Sequence, residues 1–218
     1  MVSLSSGNPL AVLQRKLSSL HFRLLYLTAS VRDRVLGVDL TAPMTREDAG
    51  IEAVPGTEYY VSTGFAPELS SALEFLKIGG SDSILDYGSG KGAALVKFSQ
   101  YPFQKIRGVE LSTALSEISK RNIAKLRLKN VDIVNADATT YRDLDTFNYF
   151  YLANPFTGEI FESVIANIIK SFDRTPRPVY IIYYHPKCHE QVVNTGRLHV
   201  LKEFKRGARK IIIYHFNE

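Results

Sequence analysis

The sequence predicts an α/β domain: a mostly parallel sheet with helices on both faces and an antiparallel strand pair at one edge. Three observations predict it. Beyond residue 66, apolar runs of strand length alternate with segments of helical period, an alternation that calls for right-handed crossovers between parallel strands. A glycine-rich string, Gly88-Ser89-Gly90-Lys91-Gly92, stands where a predicted strand passes into a helix. The chain ends on two consecutive strand-like runs, 198–204 and 209–216. The short connection between them permits only an antiparallel hairpin.

The elements follow in order. Leu10, Leu13, Leu17, Leu20, Leu24, Leu27 and Val31 alternate spacings of three and four, which lines them along one face of a helix over 9–36. Asn8 suits its cap, Pro9 its first turn and Gly37 its end. The seam covers about three heptads, the lower limit for a coiled coil. A helix laid on the domain's own surface is the expectation, and a homodimer joined through this helix is the alternative. Residues 38–66 hold Pro, Gly, Asp and Thr at turn-like spacing without a sustained period and read as a connector. One so long is uncommon in a compact domain unless it serves a purpose such as lying over a ligand. The division is therefore 1–66, helix and connector packing on or over the site, and 67–218, the main domain. Within the latter, helices are predicted at 67–77, 91–100, 112–128 and 158–171, and strands at 83–87, 105–110, 131–135, 147–153 and 178–184.

The bulk properties narrow the class. With 218 residues, 45% of them apolar, and 24 Tyr and Phe together, the chain has material for one ordinary core. A single cysteine, Cys188, excludes an internal disulfide. Residues 1–20 lack the pattern of a signal peptide, and no stretch approaches the roughly 20 apolar residues that span a bilayer. The expectation is a soluble protein of the cytoplasm with no membrane span. The net charge of +5 gathers in Lys120, Arg121, Lys125, Arg127 and Lys129, and in Lys202, Lys205, Arg206, Arg209 and Lys210. Such clusters can meet phosphates, but a solvated helix face and a charged edge strand use Lys in the same way. A nucleic-acid partner is therefore not favoured.

The glycines alone are ambiguous. Their backbone lets a ligand approach without Cβ in the way, at a helix N-terminus with free N–H groups. Gly88, Gly90 and Ala93 also satisfy the dinucleotide pattern, whereas Gly92 after Lys91 excludes a P-loop. Asp86 ends the strand two residues before Gly88. A carboxylate there opposes a pyrophosphate but accepts hydrogen bonds from an ammonium group, as S-adenosylmethionine carries. Glu110 closes the next strand, 22 residues after Gly88, where an acid binds both hydroxyls of a ribose. It supports a nucleoside ligand without choosing among them. A helix-capping or turn role is the plain alternative for Asp86.

These residues resemble a known family. Asp86-Tyr87-Gly88-Ser89-Gly90-Lys91-Gly92 resembles the first motif of class I S-adenosylmethionine-dependent methyltransferases, and Gly108-Val109-Glu110-Leu111-Ser112 the second. Asp137-Ala138 resembles the third, whose acid contacts the adenine amino group, and Asn154-Pro155-Phe156 the fourth. Order and spacing match from about 67 to 185. The resemblance implies a Rossmann-like, seven-stranded sheet in the order 3-2-1-4-5-7-6, and a methyltransferase that binds S-adenosylmethionine. It implies cofactor contacts at Asp86, Gly88, Gly90, Gly92, Glu110, Leu111, Asp137, Ala138 and Asn154. The GVD, YY and GSGKG stretches are similar to a bacterial-type subgroup related to Rossmann-fold protein-lysine enzymes. On that likeness Tyr60, Ser62 and Thr63 join the cofactor contacts at its methionine end.

In the family, Asn/Asp-Pro-Pro-Tyr/Phe turns hold adenine or glutamine nitrogens. Here Asn154-Pro155-Phe156 keeps the Asn and the aromatic with a single proline, which weakens an adenine acceptor in particular. An Asn oxygen beside a backbone carbonyl can hold an amine or amide nitrogen as it gains positive charge, so a nitrogen acceptor, on a small molecule or a protein, is favoured over oxygen. Asn154 as a mere helix cap is the alternative. His185, at the carboxyl end of a predicted strand, can act as general base toward an oxygen acceptor. His185, Cys188 and His189 lack a fourth ligand of matching spacing, so no metal is expected. Two further classes stay open: a cofactor-binding module without activity, and a nicotinamide oxidoreductase, against which Asp86 argues.

Overall fold

The computed structural model describes residues 9–51 and 64–216, with the side chains of 9–22 excepted. Seven strands form one sheet: β1 (Ser83–Tyr87), β2 (Lys105–Glu110), β3 (Val131–Asn135), β4 (Tyr149–Leu152), β5 (Tyr180–Tyr184), β6 (Leu198–Arg206) and β7 (Arg209–Phe216). Their spatial order is β3-β2-β1-β4-β5-β7-β6. The pairs among β1 to β5 are parallel, and β7 runs antiparallel to both β5 and β6. The predicted sheet and its terminal hairpin are therefore present.

Side-chain alternation along the strands divides the core in two. Leu85, Tyr87, Phe150, Leu152, Ile181, Tyr183, Ile212 and Tyr214 face one way. They pack on Phe161, Val164 and Ile168 of α5 (Gly158–Arg174) and Val192 of α6 (His189–Val193). Ile84, Tyr149, Tyr151, Ile182, Tyr184, Ile211 and Ile213 face the other way. There they meet Leu69 and Leu73 of α2 (Pro67–Leu76), Leu95 and Phe98 of α3 (Ala93–Phe98) and Ile123 of α4 (Thr113–Lys125). Burial on both faces explains why β4 reads as an unbroken apolar run. The sheet winds outward in both directions from β1 and β4, and a crevice outside the carboxyl ends of such neighbours is where α/β sheets take ligands.

The long helix α1 (Pro9–Leu36) ends at Gly37, whose φ of 66° suits glycine. Its outcome differs from the expectation of a seam laid on the domain. Ala29 and Asp33 are buried against the chain that follows, whereas Leu24, Leu27 and Val31 are 59%, 62% and 59% exposed. The polar face won the contact because it offers hydrogen bonds to the turning backbone. Asp33 Oδ2 accepts from Leu40 N (2.9 Å) and Thr41 Oγ1 (2.8 Å), and the Tyr26 hydroxyl donates to the Thr41 carbonyl. Among the described residues no helix is long and apolar enough to cross a membrane.

Candidate active site

The glycine loop is built by β1 and β2 together. The amides of Gly88 and Ser89 both donate to the carbonyl of Val109, at 2.8 and 3.2 Å. Gly88 has φ +70°, and a Cβ there would stand 2.5 Å from Cβ of Pro155. Gly108 on β2 is required for the same reason on the other side, since its Cβ would meet Ser89 Oγ at 2.5 Å. The loop is thus pressed between β2 and the turn after β4.

Asp86 and Glu110 end neighbouring strands on the same sheet face, as the pairing of Asp86 with Gly108 dictates. Asp86 is 2% exposed, and its Oδ1 has no hydrogen-bond partner. Burial, reinforced by the Glu110 carboxylate, pushes the Asp86 carboxyl well above the usual range. An orphan buried acceptor is costly, and an ammonium group would satisfy it. The N-cap of α3 is Gly92, without a side-chain cap, so Asp86 does not cap that helix. Glu110 has a second task that the sequence did not reveal: Oε2 accepts from Gly90 N (2.8 Å) and Oε1 from Ser112 N (2.9 Å). Burial raises its pKa, while the amides of Ser112, Gly90 and Leu111 pull it back. Each oxygen keeps a further lone pair, so the donor set fits a ribose diol.

Leu111 is 41% exposed beside Glu110. Asp137 is exposed on the turn after β3, where its Oδ1 accepts from the amide and hydroxyl of Thr139, both at 2.7 Å. Ala138 packs on the core. Tyr60, Ser62 and Thr63 lie outside the described residues.

Asn154 follows β4 with φ 53° and is 9% exposed. A left-handed backbone is uncommon for a residue other than glycine, and Asn adopts it more readily than most. Its Oδ1 lies 3.4 Å from the Tyr183 hydroxyl, and the N-cap of α5 is Thr157, so Asn154 does not cap that helix. Phe156 anchors the turn edge-on against Tyr87. His185 is exposed, also with positive φ (50°), and its amide donates to the Lys210 carbonyl at 2.9 Å. Partial desolvation, then Arg209 and Lys187, hold its imidazole below the usual range against the opposing pull of Glu68. Cys188 is buried and His189 Nδ1 meets the Tyr214 hydroxyl at 2.7 Å. Among the described residues no group of His, Cys, Asp or Glu is arranged to hold a metal.

One part of the site carried no sequence motif. Lys91, 2% exposed, places Nζ 2.7 Å from Asp39 Oδ2 and 2.9 Å from the Ala42 carbonyl. Asn122 of α4 ties the same strands of chain: its Nδ2 donates to the carbonyls of Asp39 (2.7 Å) and Lys91 (3.0 Å), and its Oδ1 accepts from Asp39 N (2.9 Å). Further on, Ser112 Oγ donates to the Ala49 carbonyl and Ile51 packs on Leu115. Residues 38–51 are therefore a strap fastened to the glycine loop and to α4. Asp39→Asn is expected to destabilise the protein more than Lys91→Met. The first leaves a buried ammonium without its counter-ion, about 3 kcal/mol, whereas the second leaves a half-exposed carboxylate that water can solvate. Urea denaturation of both variants measures the order.

The order of the sheet is that of the Rossmann-like methyltransferase fold. Residues 84–178 match the family model described as methyltransferase domain. Similar solved structures include a ribosomal protein L11 methylase from Lactobacillus delbrueckii subsp. bulgaricus, with 13% identity and a TM-score of 0.56 over 69% of this chain and 77% of that one. A SAM-dependent methyltransferase from Aquifex aeolicus matches with 14% identity and a TM-score of 0.55 over 71% and 92%. An RNA methyltransferase from Salinibacter ruber, in complex with S-adenosyl-L-homocysteine, matches with 13% identity and a TM-score of 0.53 over 70% and 92%. At these identities the likeness is one of fold. No curated protein matches the chain.

Proposed function

We propose that this protein transfers a methyl group from S-adenosylmethionine to a nitrogen atom held at Asn154. The observation that carries the reading is the contact between the glycine loop and the turn after β4. With Pro155 pressed on Gly88, an acceptor at Asn154 and a nucleoside along Gly88 and Glu110 would be neighbours. When bound, the cofactor supplies an electrophilic methyl group on a sulfonium. In this reading Asp86 accepts hydrogen bonds from its ammonium, Glu110 from the ribose hydroxyls and Asp137 from the adenine amino group, with Leu111 and Ala138 beside the base. The strap 38–51 shields the loop from the side of Lys91. Tyr60, Ser62 and Thr63 belong to the methionine end on the family likeness alone.

Methyl transfer is a displacement that gains most from alignment. Asn154 contributes by presenting its side-chain oxygen to the N–H of the acceptor, which orients the lone pair and stabilises the charge that develops. An amine or amide on a small molecule or a protein suits that arrangement. Incubating cell extract with enzyme and labelled S-adenosylmethionine, followed by mass spectrometry, identifies the product. Asn154→Ala should lower turnover by about 10²-fold or more while leaving S-adenosylhomocysteine binding within a few-fold. Label on oxygen, lost with His185→Ala and not with Asn154→Ala, would replace nitrogen by oxygen. Binding without transfer to any acceptor would favour an inactive module.

The titration of Asp86 gives a further test. Its folded pKa is raised, so the folded apoprotein holds a proton at pH values where the unfolded chain, near 4, has lost it. This contribution to apoprotein stability falls as pH rises through the raised value. Cofactor binding needs the carboxylate, so the rise in Tm caused by S-adenosylhomocysteine should grow as pH rises from the ordinary carboxylate range through the raised value. Asp86→Asn should flatten that dependence. An identical slope in the variant would remove Asp86 from the ammonium site.

A further inference from the structure

The described part of the α1 seam, Leu24, Leu27 and Val31, is turned away from its own domain. At 100° per residue, Tyr26, Ala29, Ser30 and Asp33 share one face of the helix, and that face is fastened to the strap. Asp33 and Tyr26 hydrogen-bond to residues 40 and 41, and Ser30 Oγ lies 3.2 Å from Thr41 Oγ1. Leu24, Leu27 and Val31 point nearly opposite, at 59%, 62% and 59% exposure, and Val35 beyond them is 79% exposed. Large apolar side chains aligned in this way on a monomer mark an interaction surface.

The spacing identifies the occupant. From Leu10 to Val31 six leucines and Val31 step 3-4-3-4-3-4, a 3.5-residue repeat, with Val12, Phe22, Leu25, Tyr26 and Ala29 off that line. A helix packed on a globular domain, or lying in a membrane surface, presents a broader stripe with a period of 3.6. A seam of seven large apolar residues at that repeat matches another helix with the same repeat, wound left-handedly about it. The surface that carries this repeat in the same length and register is the α1 of a second copy. With Leu10, Leu17, Leu24 and Val31 at a and Leu13, Leu20 and Leu27 at d, the g positions are Lys16, Arg23 and Ser30 and the e positions Gln14, His21 and Thr28. An antiparallel pair would oppose the g-position cations to each other. A parallel pair sets Lys16 against His21 and Arg23 against Thr28, which avoids most of that repulsion.

We propose that two copies of this chain associate through a parallel coiled coil of α1 helices. Because the opposite face of α1 holds the strap that Lys91 and Asn122 fasten to the glycine loop, the dimer would brace the site from outside without contributing to it.

Sedimentation equilibrium of the full chain tests the proposal. Wild type should show twice the 24.5 kDa protomer mass, and Leu24→Asp with Leu27→Asp should reduce it to the protomer. Val193→Asp, at an exposed apolar position on α6, should leave the dimer intact. The seam positions are already exposed, so their replacement does not threaten folding, and circular dichroism checks this. Leu24→Cys should crosslink to its own counterpart on mild oxidation, since the natural Cys188 is buried and equivalent a positions adjoin only in parallel pairing. Wild type at the protomer mass at every concentration would overturn the proposal. So would a protomer that cosediments with phosphatidylserine vesicles through the same leucines.

Discussion

Gly88→Ala is expected to abolish measurable S-adenosylhomocysteine binding and to destabilise the fold by about 3 kcal/mol, the sum of two effects. The φ of +70° at this position costs an L-residue roughly 1–2 kcal/mol. The added methyl would also stand 2.5 Å from Cβ of Pro155, well inside contact distance, and such overpacking costs roughly 1–3 kcal/mol. Neither neighbour can yield easily, because the Gly88 amide is bonded to Val109 and Phe156 is packed on Tyr87. Relief must come from moving the loop off the turn, which separates the cofactor side of the site from Asn154. Gly196→Ala is the control: it has φ +65° and nothing within 4 Å of the added carbon, so it carries the dihedral cost alone. Thermal denaturation of both variants separates clash from strain. Equal losses of stability would show that the Gly88–Pro155 contact is not close.

Glu110→Ala is expected to weaken S-adenosylhomocysteine binding by about 10- to 100-fold, or 1.4–2.7 kcal/mol, and to lower the stability of the apoprotein as well. The two effects have different sources. Loss of affinity would reflect the charge-assisted hydrogen bonds that the proposed site gives the ribose hydroxyls. Loss of stability reflects the amides of Gly90 and Ser112, which donate to Glu110 at 2.8 and 2.9 Å and would be left buried without a partner at about 1–3 kcal/mol each. Glu110→Gln keeps one acceptor oxygen but turns an NH₂ toward the other amide, so its apoprotein should also lose stability. Calorimetric titration alongside chemical denaturation reads both quantities. An unchanged affinity would take Glu110 out of the nucleoside site and leave it as a brace for the loop.

Much of this architecture was legible in the chain. The alternation of periods gave the parallel strands, and two consecutive strand-like runs gave the terminal hairpin that β6 and β7 form. The motif glycines, Asp86, Glu110 and Asn154 all fall at the carboxyl ends of β1, β2 and β4, because short-range patterns report on the strand ends that carry them. The strap was not legible. Asp39 and Lys91 are 52 residues apart and Asp39 and Asn122 are 83 apart, and nothing in local spacing announces a contact across such distances. A lysine inside a glycine loop that lacks the P-loop serine or threonine was the one available sign that its charge is used elsewhere. The short helix α6 was missed because five residues are too few to establish a period. The seam of α1 was expected on the domain's own surface, but of its described residues Leu24, Leu27 and Val31 stand exposed. Apolar spacing alone does not say which face will find a partner. The hydrogen-bonding groups of Tyr26, Ser30 and Asp33 decided it.

In the proposed function the acid-flanked glycine loop binds S-adenosylmethionine and not a dinucleotide. Isothermal titration of the purified full chain with S-adenosylhomocysteine, with NADH as the competing ligand, tests it most directly. Saturable one-site binding of S-adenosylhomocysteine that is lost in Asp86→Ala, with no heat from NADH, is the predicted result. Binding of NADH with none of S-adenosylhomocysteine would contradict it.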